Sequence, residues 1–343
     1  MRITDVRTGK QLTDFMTTPT DGLVEFARNL EGDLLVLGAG GKMGPDLLET
    51  VARADRLAGA RRRLAAADLG YEDSLKTRLL GLGVSLHVGD LTEREFLRSL
   101  PDAPNIVYMA GTKFGTSKDW RKTFHLNCIL PYLVGERYPE AGIVVFSSGN
   151  PYPHTLPAQG GCREGDELAP HGVYGWSIVA RESAFSTTAL KLKTQRFCFF
   201  RLMYAQHLAY GVLVDLARMV WSDEPVSLEM PAVNLISQRD AVDVAIRALG
   251  HCANPPFILN CAGPITRVRD IVGKIARQMG KEPKFAGTEA GKALVANDDL
   301  CRKTFGGHRD GVEEMIQAAA DWVMRGGETW GKPTMFGKLG GGY

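Results

Sequence analysis

The sequence lacks the cysteine and histidine spacings that hold metal ions. Its six cysteines contain no CxxC pair, and its seven histidines contain no HxxxH or HExxH pattern. Scattered thiols make a weak disulfide framework, and they are typical of proteins in a reducing compartment. We therefore predict no bound metal and a cytoplasmic protein.

Long apolar runs and an excess of one charge are also missing. No run approaches the ~18 apolar residues that a membrane span needs, and the formal net charge is only +2. So small a charge gives no electrostatic reason to bind nucleic acid or a membrane surface. We expect neither as a partner. Hydrophobic residues make up 44% of the chain, as in an ordinary globular protein.

Short apolar runs alternate with helical patterns along the first two thirds of the chain. Strands separated by helices build a parallel sheet with right-handed crossovers. The sequence therefore predicts an α/β fold, a doubly wound parallel sheet followed by a smaller C-terminal α/β region. The runs that predict strands of this sheet are residues 33–38, 63–67, 84–88, 105–109, 142–147 and 195–202.

The first predicted strand runs into a glycine-rich turn and then into a helical pattern. The turn reads Gly38-Ala39-Gly40-Gly41-Lys42-Met43-Gly44. Gly38 permits the tight turn, Gly41 lets backbone N–H groups approach a pyrophosphate, and Gly44 lets the helix pack on the strand. This glycine spacing between a strand and a helix is typical of a Rossmann dinucleotide site. We predict that Gly38 and residues 41–44 contact the cofactor.

The second predicted strand ends in Asp68, 24 residues after the last of these glycines. An acid at this place accepts hydrogen bonds from the adenosine ribose and repels a 2′-phosphate. The arginines at 61–63 stand at the opposite end of the strand, so they are badly placed to hold that phosphate. The predicted cofactor is therefore NAD rather than NADP.

The pattern changes after residue 205. Helical patterns at 211–221, 240–249, 268–279 and 311–325 surround short strands near 226–229, 234–236 and 257–260. No low-complexity linker separates the two parts, so we expect them to pack together. The predicted organisation is an N-terminal extension (1–32), a Rossmann NAD-binding domain (33–205), a substrate-binding region interleaved with it (206–335) and a flexible glycine-rich tail (336–343).

Further segments resemble the extended short-chain dehydrogenase/reductase family, the NAD-dependent epimerase/dehydratase group, over roughly residues 33–330. They are Gly89-Asp90-Leu91, Met109-Ala110-Gly111, Asn127, the segment 145–150 with Ser148, Tyr174-Gly175-Trp176-Ser177 and the segment 200–204 with Tyr204. The resemblance implies that Asp90, Leu91, Ala110, Gly111, Asn127 and Tyr204 line the cofactor site. It also implies that Tyr174 relays a proton during hydride transfer while Ser148 hydrogen-bonds the substrate oxygen.

The lysine that this family carries four residues after the tyrosine is absent, because position 178 is Ile178. That lysine holds the nicotinamide ribose and lowers the pKa of the tyrosine, which otherwise stays near ~10. Two cations are candidates to replace it. Arg181 lies two helical turns after Tyr174 on the same face, and Lys113 follows the fourth predicted strand at the end where ligands bind. The sequence leaves open which of them acts.

Two features that the sequence lacks restrict the possible reactions and substrates. Gly149 and Asn150 stand where the family's nucleotide-sugar 4,6-dehydratases carry an Asp-Glu pair, which argues against that reaction. No arginine cluster is placed to hold a nucleotide diphosphate, so a free sugar, sugar acid or polyol is at least as good a candidate as a nucleotide sugar.

The sequence therefore predicts an NAD-dependent epimerase or dehydrogenase that acts on a carbohydrate-like substrate. The alternative is a non-catalytic NAD-binding sensor or scaffold, which the loss of the lysine at Ile178 makes plausible. The family resemblance also implies a homodimer formed through the helix of Tyr174 and its neighbouring helix.

Overall fold

The computed structural model describes residues 1–332, Thr334 and Phe336. These residues contain thirteen strands and thirteen α-helices. The strands are β1 (Leu34–Leu37), β2 (Leu64–Asp68), β3 (Val84–Val88), β4 (Asn105–Tyr108), β5 (Gly142–Phe146), β6 (Arg196–Leu202), β7 (Ala205–Gln206), β8 (Val226–Ser227), β9 (Ala232–Asn234), β10 (Ile236–Ser237), β11 (Phe257–Cys261), β12 (Ile265–Arg267) and β13 (Phe285–Ala286). The helices are α1 (Gly9–Met16), α2 (Asp21–Asn29), α3 (Gly44–Ala58), α4 (Asp73–Gly81), α5 (Arg94–Ser99), α6 (Trp120–Phe124), α7 (Leu130–Arg137), α8 (Gly172–Lys191), α9 (Val212–Trp221), α10 (Gln238–Arg247), α11 (Val268–Met279), α12 (Asp299–Phe305) and α13 (Val312–Met324).

Seven of the strands form one parallel sheet in the order β11-β6-β5-β4-β1-β2-β3. Strands β1 and β5 are buried along their whole length, which explains why they read as continuous apolar runs. The strand order reverses beside β1, which pairs with β2 on one side and with β4 on the other. Ligands of such sheets bind at the carboxyl ends of the strands next to the reversal. The predicted doubly wound α/β fold is confirmed.

Alternate residues of β1 pack in opposite layers, as the two-residue period of a strand requires. Leu34 and Val36 share a core with residues of α2, α3 and α10, whereas Leu35 and Leu37 share a core with residues of α5, α7 and α8. Helices therefore cover both faces of the sheet.

A third core lies in the C-terminal part of the chain, where α9, α11 and α13 pack against one another. Three two-stranded pairs surround these helices, β7 with β10, β8 with β13, and β9 with β12. The predicted smaller α/β region is thus a helical core with short strand pairs at its border.

The N-terminal extension contributes to two cores. Phe15 of α1 is buried in the core of α9, α11 and α13, whereas Leu23 of α2 is buried in the layer on the sheet. Between them, Thr20 caps α2 by accepting a hydrogen bond from the Leu23 N–H at 2.9 Å. The Thr20 hydroxyl also donates to Asp243 of α10 at 2.6 Å. The extension therefore ties the sheet layer to the C-terminal core.

Most predicted elements agree with the structure, and β3 and α11 begin and end as predicted. Helix α1 was not predicted from the sequence. Strand β11 was predicted to belong to the substrate-binding region, whereas in the structure it pairs with β6 at the edge of the central sheet. The predicted domain boundaries stay a prediction. Residues 337–343 of the predicted flexible tail lie outside the described residues. None of the described helices has both the length and the apolar character to span a bilayer.

Candidate active site

The glycine-rich loop joins β1 to α3 and is tightly packed at two of its three key glycines. Gly38 has a φ of +84°, and a Cβ atom there would lie 2.4 Å from the backbone nitrogen of Ala110. A Cβ atom at Gly44 would lie 2.2 Å from the carbonyl oxygen of Ala39. At Gly41 the nearest atom would be 3.7 Å away, so this residue has an open side. The loop fits the close approach of a ligand at Gly41.

Asp68 ends β2 directly beside this loop. Its carboxylate accepts a hydrogen bond from the Gly40 N–H at 2.8 Å and another from the Leu69 N–H at 2.7 Å. The two N–H groups fix the carboxylate next to the beginning of α3. An acid held there is in position to accept hydrogen bonds from a ribose bound along the loop.

The segment after β3 lies next to Asp68, because the Gly89 N–H donates to the Asp68 carbonyl at 3.0 Å. Asp90 is exposed, and its carboxylate accepts from the N–H and the hydroxyl of Thr92 at 2.8 and 2.7 Å. Leu91 is buried. These two residues therefore form a short turn at the same edge of the sheet as Asp68, beyond the glycine loop.

Tyr174 lies in the first turn of α8 and is hydrogen-bonded to Ser148, which follows β5. The phenol is 8% exposed. Burial raises its pKa above the ordinary value, and the Arg181 charge and the Ser148 hydroxyl counteract this only in part. The phenol is therefore protonated at neutral pH in the protein alone, and it needs further stabilisation of its anion to act as a base.

Arg181 is buried beneath this pair. Its guanidinium donates to the carbonyl oxygen of Phe146 at 2.6 Å and to the side-chain oxygen of Asn127 at 2.8 Å. The guanidinium lies against Gly111, where a Cβ atom would be 2.0 Å from Nη2 of Arg181. Ile178, in the place of the family's lysine, is fully buried. Of the two candidate replacements, Arg181 is the one whose charge lowers the pKa of Tyr174.

Asn127 lies in a π-helical turn, His125–Ile129, between α6 and α7. Its side-chain oxygen accepts from the Thr112 N–H as well as from Arg181. Its amide nitrogen donates to the Thr112 carbonyl and to the Ser177 hydroxyl at 2.8 and 2.9 Å. The amide nitrogen and the amide oxygen thus both form hydrogen bonds with protein atoms. These bonds fix the loop after β4 against α8.

Lys42 and Lys113 extend into the same cleft from the glycine loop and from the loop after β4. The Lys42 ammonium lies 3.5 Å from the ring centroid of Tyr210 and 5.1 Å from that of Phe114. The Lys113 ammonium lies 5.9 Å from the Phe114 ring centroid and 6.0 Å from that of Tyr174. Burial, and then a neighbouring lysine charge, lowers the pKa of each to about 8.

The cleft has a volume of about 330 Å³ and lies at the carboxyl ends of β1 and β4. Its lining includes Gly38, Gly41, Lys42, Met43, Lys113 and Tyr204. A larger groove of about 1060 Å³ shares Gly41 and Lys42 with it and continues along α3 and α4 to Tyr71 and Arg78. The two spaces meet at the glycine loop, so an extended ligand lying across the loop would occupy both.

Trp330 borders the larger groove, and Thr334 borders the smaller cleft. The ring of Trp330 stacks on His207 and Tyr210 at centroid distances of 4.8 and 5.8 Å. The N–H and the hydroxyl of Thr334 both donate to Asp215. These contacts hold Trp330 and Thr334 in the walls of the two spaces.

Sequence reasoning missed a buried ion pair below Ser148. Glu182 of α8 accepts two hydrogen bonds from Arg201 of β6, at 3.0 and 2.7 Å, and one from Ser147 at 2.5 Å. Arg201 also donates to the Tyr152 hydroxyl at 2.7 Å. The sequence contains one indication of this ion pair, namely a charged residue inside the apolar strand segment Phe197–Leu202. A buried arginine requires a partner of opposite charge.

Of the predicted residues, the fold brings Tyr174, Ser148, Lys113 and Arg181 together around the end of β4 and β5. The predicted cofactor residues follow the ends of five strands, namely β1 (Gly38 and residues 41–44), β2 (Asp68), β3 (Asp90, Leu91), β4 (Ala110, Gly111) and β6 (Tyr204), while Asn127 lies between α6 and α7. Asp90 is separated from the catalytic group by the glycine loop. The arrangement provides a phenol for proton transfer, buried cations beside it and a glycine loop that a phosphate can approach.

Comparison of the sequence with protein-family models and with curated proteins finds no match. Comparison of the fold with solved structures finds MoeE5 in complex with UDP-glucose and NAD, with a TM-score of 0.68 and 19% identity over 86% of this chain and 99% of that chain. The UDP-glucose 4-epimerase of Thermus thermophilus, in complex with NAD, has a TM-score of 0.67 and 17% identity over 84% and 98% of the two chains.

The UDP-glucuronic acid 4-epimerase of Bacillus cereus, in complex with UDP-glucuronic acid and NAD, has a TM-score of 0.67 and 14% identity over 85% of this chain and 99% of that chain. Each likeness extends over nearly the whole of the other chain. At these identities the likeness establishes the shared fold.

Proposed function

We propose that this protein binds NAD and catalyses hydride transfer on a sugar, a sugar acid or a related polyol, as an epimerase or a dehydrogenase. The observation that carries the proposal is the hydrogen bond between Tyr174 and Ser148 beside the glycine loop. Similar folds solved with NAD, and with UDP-sugars in two cases, support the same conclusion.

The residues around the glycine loop fit NAD. The open side of Gly41 leaves room for a pyrophosphate, the beginning of α3 favours its negative charge, and Lys42 and Met43 flank it. Asp68 would accept hydrogen bonds from the ribose hydroxyls and repel a 2′-phosphate. Asp90, Leu91, Ala110 and Gly111 would border the adenosine half, and Tyr204 the opposite side. Bound NAD supplies a nicotinamide carbon that accepts hydride from the substrate.

The chemistry proposed for the protein side chains is a proton transfer. Ser148 donates a hydrogen bond to the reacting oxygen of the substrate, and the Tyr174 phenolate takes the proton of that hydroxyl while hydride leaves the same carbon. The alcohol thereby loses one proton and one hydride and becomes a carbonyl. Arg181 lowers the free energy of the phenolate by its charge, which is the electrostatic part of the missing lysine's role. Because Arg181 offsets the effect of burial only in part, the phenolate depends on further positive charge in the occupied site. Lys113 adds a second positive charge near the phenol ring.

Replacing Tyr174 with phenylalanine tests this proposal. The variant keeps the buried ring but loses the hydroxyl, so turnover should fall by roughly 10²- to 10⁴-fold while NAD affinity stays the same. Tyr132→Phe is the matched control, because the Tyr132 hydroxyl contacts only Lys191 among the described hydrogen bonds. Full turnover in Tyr174→Phe would contradict the assignment. A sensor would bind NAD and show no turnover in either the wild type or the variant.

We also propose a homodimer formed through the face of α6, α7 and α8. These helices and the π-helical turn between α6 and α7 expose several large apolar side chains, namely Trp120, Ile129, Trp176 and Leu190. Exposed apolar side chains on packed neighbouring helices are typical of an association surface. Trp176→Glu should convert the protein to a monomer in sedimentation-velocity measurements. A wild-type protein that is monomeric at micromolar concentration would contradict the dimer.

A further inference from the structure

A buried carboxylate lies where the smaller cleft and the larger groove meet. Asp46 stands in the first turn of α3, directly after the glycine loop, and is 6% exposed. It lines the larger groove together with Gly40 and Gly41. Its Oδ2 atom accepts a hydrogen bond at 2.8 Å from Gln238, which lines the smaller cleft. A dinucleotide that crosses the loop would therefore pass this carboxylate.

One arginine balances the charge of Asp46. The Arg78 guanidinium of α4 donates to the Asp46 carboxylate at 3.0 Å and to the buried Glu49 carboxylate, one turn further along α3, at 2.5 Å. Within the described part of the chain, the only other ion-pair partner of Asp46 is His207, at 3.6 Å. Burial lowers the pKa of His207 below its ordinary value, so the imidazole is neutral at neutral pH. Arg78 is therefore the cation on which Asp46 depends.

The ion-pair network around this contact has an excess of negative charge. Glu49 also accepts from Arg53 at 2.9 Å, and Arg53 donates to Asp14 of α1 at 2.7 Å. The three carboxylates of Asp14, Asp46 and Glu49 thus share the two guanidinium groups of Arg53 and Arg78. Loss of Arg78 would leave the buried Asp46 carboxylate without its cation.

A negative charge at this place acts against a pyrophosphate. The first turn of a helix attracts anions through its free N–H groups and through the helix dipole. A carboxylate in the same turn takes up part of that attraction, and it repels a second anion beside it. Because Asp46 is buried, salt screens this repulsion less than it would at the surface. The balance between Asp46 and Arg78 should therefore determine how tightly the loop holds a pyrophosphate.

We propose that the Asp46–Arg78 ion pair sets the affinity of the glycine loop for its dinucleotide. The Asp46 carboxylate repels the pyrophosphate, and the Arg78 guanidinium offsets that repulsion by neutralising Asp46, without contacting the ligand. This inference rests on the proposed binding of NAD, and it names the residues that regulate the affinity of that same site. The competing explanation is a direct contact between Arg78 and a phosphate, because Arg78 also lines the larger groove.

The test is calorimetric titration with NAD and with ADP, which contains the adenosine diphosphate unit of NAD without the nicotinamide half. Asp46→Asn is the decisive variant, because the amide keeps the size of the side chain and removes its charge. This variant should bind both ligands about 3- to 10-fold more tightly than the wild type. A merely structural role of Asp46 predicts no gain, since damage to the fold weakens binding.

Variants of Arg78 test the compensation. Arg78→Met should weaken the binding of both ligands by about 10- to 100-fold, because the Asp46 charge is then unopposed. Adding Asp46→Asn to Arg78→Met should recover at least about tenfold of this loss. Asp73→Asn is the matched control and should bind as the wild type does, since Asp73 stands in the first turn of the neighbouring helix α4 but is exposed. Circular dichroism establishes that each variant is folded, and if Arg78→Met is not, the gain in Asp46→Asn decides alone.

Every outcome of these titrations supports or overturns the inference. Wild-type or weaker affinity for both ligands in a folded Asp46→Asn protein would overturn it. A double variant that binds as weakly as Arg78→Met would show that Arg78 contacts the ligand itself, and would also overturn it. Tighter binding of ADP by Asp46→Asn, without NAD binding by any variant, would support the inference and reject the proposed function. NAD binding that is equal in the wild type and in Asp46→Asn would do the reverse, and binding of neither ligand by any folded variant would reject both.

Discussion

Two glycines of the loop after β1 should respond differently to the same added methyl group. In Gly44→Ala the new Cβ atom would lie 2.2 Å from the Ala39 carbonyl oxygen and 2.7 Å from the Ala39 carbonyl carbon. In Gly41→Ala the nearest atom would be the Gly38 carbonyl oxygen, at an ordinary van der Waals distance of 3.7 Å. One substitution therefore strains the fold, and the other fills only the open side of the loop.

The expected magnitudes follow from these contacts. Overpacking against backbone costs about 3 kcal/mol at the upper end of its usual range, and alanine recovers up to about 1 kcal/mol over glycine in a helix. Gly44→Ala should thus lower the free energy of unfolding by about 2 kcal/mol. Gly41→Ala should change it by less than about 0.5 kcal/mol. The same substitution should weaken NAD binding by about tenfold or more, because its methyl group would occupy the approach of the pyrophosphate.

Urea unfolding followed by tryptophan fluorescence measures the first quantity, and calorimetric titration with NAD measures the second. Gly165→Ala is the control, because its added Cβ atom would have no neighbour within 4 Å. Wild-type NAD affinity in a folded Gly41→Ala protein would refute the reasoning about the loop. Wild-type stability in Gly44→Ala would refute the close packing of α3 on the loop after β1.

Two further predictions concern buried charges. Arg201→Met should lower the free energy of unfolding by about 3–5 kcal/mol, because it leaves the buried Glu182 carboxylate without its cation. Adding Glu182→Met should restore part of the lost stability. A urea unfolding curve of Arg201→Met that matches the wild type would contradict the ion pair. Burial alone would lower the pKa of His308, but the hydrogen bond and charge of Asp298, 2.5 Å away, raise it above its ordinary value. That pair should stabilise the protein fully below about pH 6.5 and lose its effect as the pH rises through the raised pKa. His308→Gln should therefore lose less stability than the wild type as the pH rises above about 6.5, and parallel curves would contradict this.

Local patterns predicted the part of the site that lies within a few residues of chain. The glycine spacing from Gly38 to Gly44 and the strand that ends in Asp68 identified two features that the fold sets side by side, at 2.8 Å between the Gly40 nitrogen and the Asp68 carboxylate. The sheet could be predicted because buried parallel strands are continuous apolar runs. Strand β11 has such a run too, but periodicity alone does not tell which sheet a strand joins.

Contacts between distant residues could not be predicted in this way. Glu182 and Arg201 meet because α8 packs against β6. The spacing of the two residues in the sequence does not predict this contact. The cofactor-lining role of Asn127 stays a prediction, whereas its hydrogen bonds to Thr112, Ser177 and Arg181, which anchor the loop after β4, were not predicted. Side-chain direction, which decides between contacting a ligand and holding a neighbour, depends on the packing of the whole fold.

Parallel calorimetric titration of the purified protein with NAD and with NADP tests the central claim most directly, after absorbance has excluded cofactor carried through purification. The fixed carboxylate of Asp68 predicts NAD binding that is at least about tenfold tighter than NADP binding, because a 2′-phosphate would meet that charge. Asp68→Asn should reduce the ratio of the NADP dissociation constant to the NAD dissociation constant. Binding of neither dinucleotide by the folded protein, or equal binding of both, would contradict the account of the glycine loop and of Asp68.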